Sequence, residues 1–414
     1  MAMDDLSRTI RRNTLLLACV TAVNSAVLQL AAAVSTLTFV LVTGHRGLLG
    51  LGPAIFLTSS GLTAVVAGQA MDRFGRRQVL AAGFASSALG CTLNAVATRT
   101  ESVPVLLAGF VLIGAGMATS LLIRTAAGDM YPPERRARGI SYVLVGAVFG
   151  AILGPLVFSP MFAGKDVEVE VLTVPWLAAG GISLLALAIV MLVRPDTRTI
   201  AQMISTRDRE EAPAPAAPLA EIIRRPGVIP AMVASLASFG VMVSVMNLTG
   251  YVVVEKHHHS QDSVFPIVGA HVLGMYALVL VIGALIDRLG RTPALASGLL
   301  VMGASTLGML WAESVPTTAV LLFGLGIGWN ISFVAATAQM ADRTSAVERG
   351  KLLGFSDLIG ALLAASLALV GGYGLETSGV AALAVGASII VVSPVAFILW
   401  RQPGTEPASA AAEP

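Results

Sequence analysis

Apolar runs of about 20 residues or more alternate with short polar connections along almost the whole chain. Read as membrane-crossing helices, they predict spans near 13–43, 48–71, 78–98, 103–127, 138–163 and 172–193, then 228–254, 264–286, 292–312, 315–341, 351–373 and 377–400. The pattern therefore predicts an all-α membrane protein of twelve helices, six on each side of a polar stretch. That stretch, 194–227, is Pro/Ala-rich and holds charges of both signs (Arg207, Asp208, Arg209, Glu210, Glu211), the composition of a linker. The resulting plan is a terminal segment 1–12, a bundle 13–193, the linker 194–227, a bundle 228–400 and a tail 401–414.

Composition agrees with this plan, because charged residues make up 12% and apolar residues 56% of the 414 positions. A soluble protein of this length needs a more charged surface. The placement of Lys and Arg adds orientation. Twenty-two fall on the side holding both termini and four (Arg46, Arg99, Lys165, Lys256) on the other. The positive-inside rule then puts both termini in the cytoplasm. The first apolar run exceeds the roughly 7–15 residues of a secretory signal and reads as a retained helix. Cys19 and Cys91 lie in spans without CxxC spacing, which leaves no disulfide framework and no thiolate metal site. The sequence has no basic aromatic surface for nucleic acid and no GxxxxGK[ST] loop for direct use of ATP. It groups no nucleophile, base and oxyanion donor of an enzyme, and no cofactor is implied.

One unit is repeated. Gly68, Asp72, Arg73, Gly75 and Arg76 recur as Gly283, Asp287, Arg288, Gly290 and Arg291, each displaced by 215 residues, and Arg77 extends the first copy. A second charged patch, Asp129 with Arg135, recurs as Asp342 with Arg349 at offsets of 213 and 214. Each sits between apolar runs, so the two halves share one orientation. Membrane insertion requires positive charge but no fixed Asp and Gly. We read these fifteen positions as a cytoplasmic latch that forms in one arrangement of the halves and opens in the other. On the fifth span Gly146, Gly150 and Gly154 form a stripe of small residues, and Pro155 removes a backbone donor. Close helix packing and a bend in a moving helix are both open readings.

Polar groups inside spans are Asn24, Gln29, Asn247, Asn330, His271 and Asp357, the last about 9 Å into its helix from Lys351 at 1.5 Å per residue. Each could line a cavity or bond a neighbouring helix. His257, His258 and His259 precede His271, so four of the five histidines fall within fifteen residues. Clustered imidazoles bind divalent metal or sense pH, and these four are weak metal candidates. No mid-membrane cluster of Lys or Arg is present, which favours a neutral or cationic amphipathic solute over a strongly anionic one.

Over residues 13–400 the chain resembles the major facilitator superfamily. Gly68–Leu80 is similar to that family's signature between helices 2 and 3, and Gly283–Leu295 to its copy between helices 8 and 9. The resemblance implies two six-helix bundles that rock about a central site, with Asp72 held against helix 11 and nearby arginines in the outward-facing state. Gly146, Gly150, Gly154 and Pro155 resemble the antiporter motif of the drug-exporter-like branch, which points to export. Drug-exporting members carry an Arg four residues before a Gly in helix 4; here Phe110 precedes Gly114. The expectation is a monomeric secondary active transporter of the bacterial inner (plasma) membrane. It would export a small amphipathic molecule by proton antiport, its partners being that solute, protons and the bilayer, with no nucleic acid. Uptake or metal-linked transport through the histidine cluster is the alternative, and a non-transporting receptor or assembly factor is the alternative of another class.

Overall fold

A computed structural model describes residues 3–131, 136–166, 168–205, 217–344 and 346–401. In chain order the helices are α1 (Met3–Thr43), α2 (Leu51–Phe74), α3 (Arg76–Thr100), α4 (Val103–Leu121), α5 (Ile123–Gly128), α6 (Arg136–Leu144), α7 (Gly146–Phe162) and α8 (Thr173–Met191). They continue as α9 (Thr197–Ser205), α10 (Leu219–Arg224), α11 (Val228–Tyr251), α12 (Val264–Tyr276), α13 (Val279–Leu289), α14 (Arg291–Gly308), α15 (Val315–Asp342) and α16 (Ala346–Trp400). Among the described residues there is no strand.

Among the described residues ten helical stretches are long and apolar enough, by length and composition, to cross a membrane. The expected eleventh and twelfth spans are the two limbs of α16, which turns at Gly379 with φ 73° and ψ −168°. Residues 371 and 383 would lie about 18 Å apart in a straight helix, yet a Cβ on Gly371 would sit 3.3 Å from the Leu383 side chain. The helix therefore folds back on itself. The expected eighth span is two pieces, α12 and α13, parted at Ala277 and Leu278. The fourth is likewise interrupted at Leu122 and the fifth at Val145. Helix α1 begins at Met3, inside the expected terminal segment, and the linker carries α9 and α10 on either side of residues 206–216, which lie outside the description.

Within the first half of the chain α3 packs on α4 and α8, α2 on α4, and α1 on α7 and α8; within the second, α11 packs on α15 and α16, and α14 on α15 and α16. The glycine stripe on α7 has a definite job here. A Cβ would lie 2.1 Å from the Ala18 carbonyl oxygen at Gly146, 2.5 Å from that of Ala22 at Gly150, and 2.7 Å from the Gln29 amide at Gly154. The missing side chains let α7 lie directly on α1, which supports the packing reading.

The halves meet along α1 with α11, α2 with α16, and α7 with α12. A shift of 215 residues carries α2 onto α12 and α13, and α7 onto the first limb of α16. The last two interfaces are therefore one interface used twice. The closest approaches lie toward the face opposite the chain termini. There a Cβ on Gly50 would be 1.9 Å from the Ala368 oxygen, and one on Gly250 would be 2.2 Å from the Ala33 oxygen. Thr36 Oγ1 donates to the Asn247 oxygen at 3.1 Å, Gln261 Nε2 to the Ala33 oxygen at 3.3 Å and Ser159 Oγ to the Asp262 oxygen at 2.9 Å. Arg46 pairs with Glu255 across the same seam at 3.6 Å. The halves are closed on each other at this end.

Candidate functional site

The repeated turns are built alike. Gly75 has φ 96° and ψ 163°, and Gly290 has φ 83° and ψ 160°, a left-handed region that favours glycine. Each turn ends one helix and starts the next. Arg76 Nε then binds Asp129 Oδ2 at 2.7 Å, and its counterpart Arg291 Nε binds Asp342 Oδ2 at 3.3 Å. The duplication thus preserved a contact as well as a sequence. Both pairs join helices of the same half, α3 with the end of α5 and α14 with the end of α15, so these two pairs brace each half and do not latch one half to the other. Arg73 lies over the Phe74 ring at 5.2 Å; Gly68 has open space around it, and Arg288 is exposed. Gly283 and the side chains of Asp72, Asp287 and Arg349 lie outside the description, as does Arg135 altogether.

Two residues outside the expected set complete the turn region. Asp196 accepts from the backbone N–H groups of Arg76 (3.2 Å), Arg77 (2.9 Å) and Arg198 (2.9 Å). It therefore caps the N-terminus of α3, where a carboxylate meets unpaired donors and the positive end of the helix dipole. In the second half Glu348 accepts both Arg225 guanidinium nitrogens, at 2.7 and 2.9 Å, and the Ala217 N–H at 3.2 Å. The hydrogen bond with Glu348 pushes the Arg225 pKa further up. This fork holds the end of the linker against the start of α16.

The halves also meet through charge inside the membrane span. Arg124, just beyond the interruption at Leu122, donates to Asp357 Oδ2 on α16 at 2.6 Å. Each side chain is about one-third exposed. Asp357 was legible from sequence as an intramembrane acid; its partner was not, because Arg124 sits near the end of an apolar run and reads there as a flanking charge. Tyr276 is the last residue of α12. Beyond Tyr276 lies a group of rings. Tyr276 stands edge-on to Trp329 at 6.2 Å, Trp329 stacks on Phe333 at 4.9 Å, and Phe239 lies 6.0 Å from Phe333. A Cβ on Gly360, one turn on from Asp357, would touch Phe239 at 3.3 Å.

The amides mostly serve helix contacts. Gln29 Nε2 donates to the Gly150 oxygen at 2.6 Å, and its Oε1 is buried without a partner near Gly269. Asn247 bonds its own helix at Val243, 2.7 Å. Asn330 Nδ2 donates to the Met275 oxygen at 2.5 Å, satisfying a carbonyl where α12 breaks. Asn24 is half-buried. His271 is fully buried and bonds the Leu322 oxygen through Nδ1 at 2.8 Å. That position separates it from the other histidines. His257 and His259 rings lie 6.4 Å apart, His259 Nε2 meets the Glu313 oxygen at 2.6 Å, and His258 is exposed. Among the described residues no three His, Cys, Asp or Glu side chains converge as a metal site.

A family model described as Major Facilitator Superfamily matches residues 14–270 and 251–414. The chain belongs to the major facilitator superfamily. This superfamily protein is a multi-pass membrane transporter, and its relatives bear transporter names. It is 31% identical over 369 residues to the MFS-type transporter YdeG of Bacillus subtilis (strain 168), covering 87% of this chain and 84% of the relative. It is 29% identical over 358 residues to the riboflavin transporter RfnT of Brucella anthropi, covering 84% and 85%. Among solved structures, a D-xylose-proton symporter superposes with a TM-score of 0.74 at 17% identity, covering 96% of this chain and 99% of the other. The xylose transporter XylE from E. coli, in a partially occluded inward-open conformation, gives 0.73 at 14% identity, covering 94% and 99%. At these identities the structural likeness shows the superfamily fold.

Proposed function

We propose that this superfamily member sits in the bacterial inner membrane with both termini cytoplasmic and exports a small amphipathic molecule in exchange for protons. The units 13–193 and 228–400 rock against each other about the region between Arg124 and Trp329. The observation that carries the reading is the Arg124–Asp357 pair, which joins the halves within the span on the side away from the close-packed glycine seam. A pair this open to solvent contributes on the order of 1 kcal/mol or less. Protonation of Asp357 is therefore enough to release it. Proton occupancy and the contact between the halves then become one variable, as a coupled transporter requires. The riboflavin transporter among the relatives supports a small organic solute over a metal ion, and the likeness of Gly146, Gly150, Gly154 and Pro155 to the antiporter motif supports export.

Purified protein in liposomes with an acidic lumen tests the reading with riboflavin as the probe solute. Antiport drives riboflavin inward as protons leave, and Asp357→Asn abolishes the dependence on the gradient while downhill exchange continues. Flux in the wild type that ignores the gradient removes proton antiport. Unchanged coupling in the variant removes Asp357 from it.

A further inference from the structure

We infer that the wall formed by Tyr276, Trp329 and Phe333 is a binding site for an uncharged planar heteroaromatic ring that carries a carbonyl acceptor. The inference rests on the transport reading above and names the class of solute for the same region. Four rings from α11, α12 and α15 gather here in a chain that is 6% aromatic. Trp329 and Phe333 lie nearly parallel, at 17°, while Tyr276 stands at 70° to Trp329. These stacked and edge-on arrangements are the ones aromatic pairs prefer, and a further flat ring can extend them.

A second observation is independent of the stacking. Trp329 is 8% exposed, and its indole Nε1 is a buried donor without an acceptor. Leaving such a donor unpaired in an apolar surround is unfavourable, and a carbonyl on the bound ring removes the penalty. Tyr276 and Phe333 are half-buried, so part of the wall remains open to an approaching solute. A helix interruption adjoins it, at Ala277 and Leu278 after Tyr276. Irregular backbone at membrane depth is tolerated where it is buried in protein or lines a cavity. The one charged pair beside the wall, Arg124 with Asp357, is internally neutralised. A ring without net charge leaves that pair intact, whereas a charged solute would have to break it in order to bind.

Riboflavin fluorescence tests the site, because flavin emission is quenched on stacking against tryptophan. Titration of the full-length protein should give saturable quenching. Affinity should fall about tenfold in Trp329→Ala and severalfold in Trp329→Phe, which keeps a ring and loses the donor. Trp311→Phe, at a residue 72% exposed, should leave binding unchanged. Lumichrome, the bare ring, should compete and ribitol should not. If Trp329→Ala does not fold, Trp329→Phe alone carries the test. The inference is overturned if the wild type shows no saturable quenching, if both Trp329 variants bind as the wild type does, or if ribitol competes and lumichrome does not. The two readings fail separately. Riboflavin flux with an unaltered half-saturating concentration in the Trp329 variants sinks the wall and leaves the transporter standing, while Trp329-dependent quenching without gradient-driven flux does the reverse.

Discussion

Gly250→Ala should open the seam between the halves at the face opposite the termini. The added Cβ would stand 2.2 Å from the Ala33 carbonyl oxygen and 3.0 Å from its carbon, both backbone atoms that cannot rotate aside. Ordinary contact returns only if α1 and α11 part by about 1 Å. Overpacking of this kind costs roughly 1–3 kcal/mol, and only arrangements that keep the two helices in contact bear it. The ratio of parted to closed molecules should therefore rise by about 5- to 150-fold. Thr36 reports on the event, since it lies three residues from Ala33, is 2% exposed and bonds the Asn247 oxygen, three residues before Gly250 on the facing helix. The assay is the rate at which a membrane-impermeant maleimide labels Thr36→Cys in a background with Cys19 and Cys91 replaced by serine. We expect a rate about 5- to 150-fold faster with Gly250→Ala added, and no change with Gly386→Ala, whose Cβ would meet open space. A Gly250→Ala protein that unfolds at the wild-type temperature and labels no faster would refute the argument from close approach.

Asp196→Ala removes a cap that accepts three backbone donors. The loss should be about 1 kcal/mol, read as a lowered melting temperature, and Asp196→Asn should recover part of it; equal stability of all three proteins would contradict the capping role. At the opposite face, burial first and then the charges of His259 and His258 lower the His257 pKa from its ordinary value, against the pull of Glu313. A histidine held neutral by the fold contributes stability that is present above about pH 6.5 and lost as pH falls through the folded value. Hydrogen exchange over 252–263, corrected for intrinsic rate, should thus be faster at pH 5 than at pH 7.5, and His257→Gln should flatten the difference. A slope that survives that substitution would assign the effect elsewhere.

What the sequence made legible was whatever repeats or runs long. Apolar length gave the spans, and the 215-residue displacement gave two halves with matching turns, which the structure shows as matching φ at Gly75 and Gly290 and matching ion pairs at Asp129 and Asp342. Interruptions were not legible. Leu122, Val145 and Ala277 are ordinary residues inside apolar runs, and the helix breaks there in the company of neighbouring helices rather than at a local breaker. Partners distant in sequence were equally hidden. Asp357 announces itself as an acid inside an apolar run, but nothing local links it to Arg124, 233 residues away. The amides were found and their cavity role was not decided, because facing a helix and facing a solute select the same residue types.

The contrast between repeated and unrepeated features bears on mechanism. The turns and their Arg–Asp braces occur twice, and each half needs them for its own integrity. The Arg124–Asp357 pair has no such counterpart. Shifting Arg124 by 213 to 215 residues reaches Thr337, Ala338 and Gln339, and shifting Asp357 back reaches Leu144, Val143 and Tyr142, none of them charged. Gln339 instead donates to the Gly227 oxygen within its own half at 2.8 Å. The ring wall is similarly one-sided, since Trp329 and Phe333 map near 114–116 and 118–120, where Gly114, Ala115, Gly116, Ala118, Thr119 and Ser120 are all small. A pseudo-symmetric frame in which the Arg124–Asp357 bridge and the aromatic wall are unrepeated divides the work. If the halves rock as proposed, the duplicated parts serve both halves alike and the unrepeated parts respond to what is carried, so substitutions at Arg124, Asp357 and Trp329 should alter coupling and selectivity, while those at Arg76 and Arg291 should alter stability.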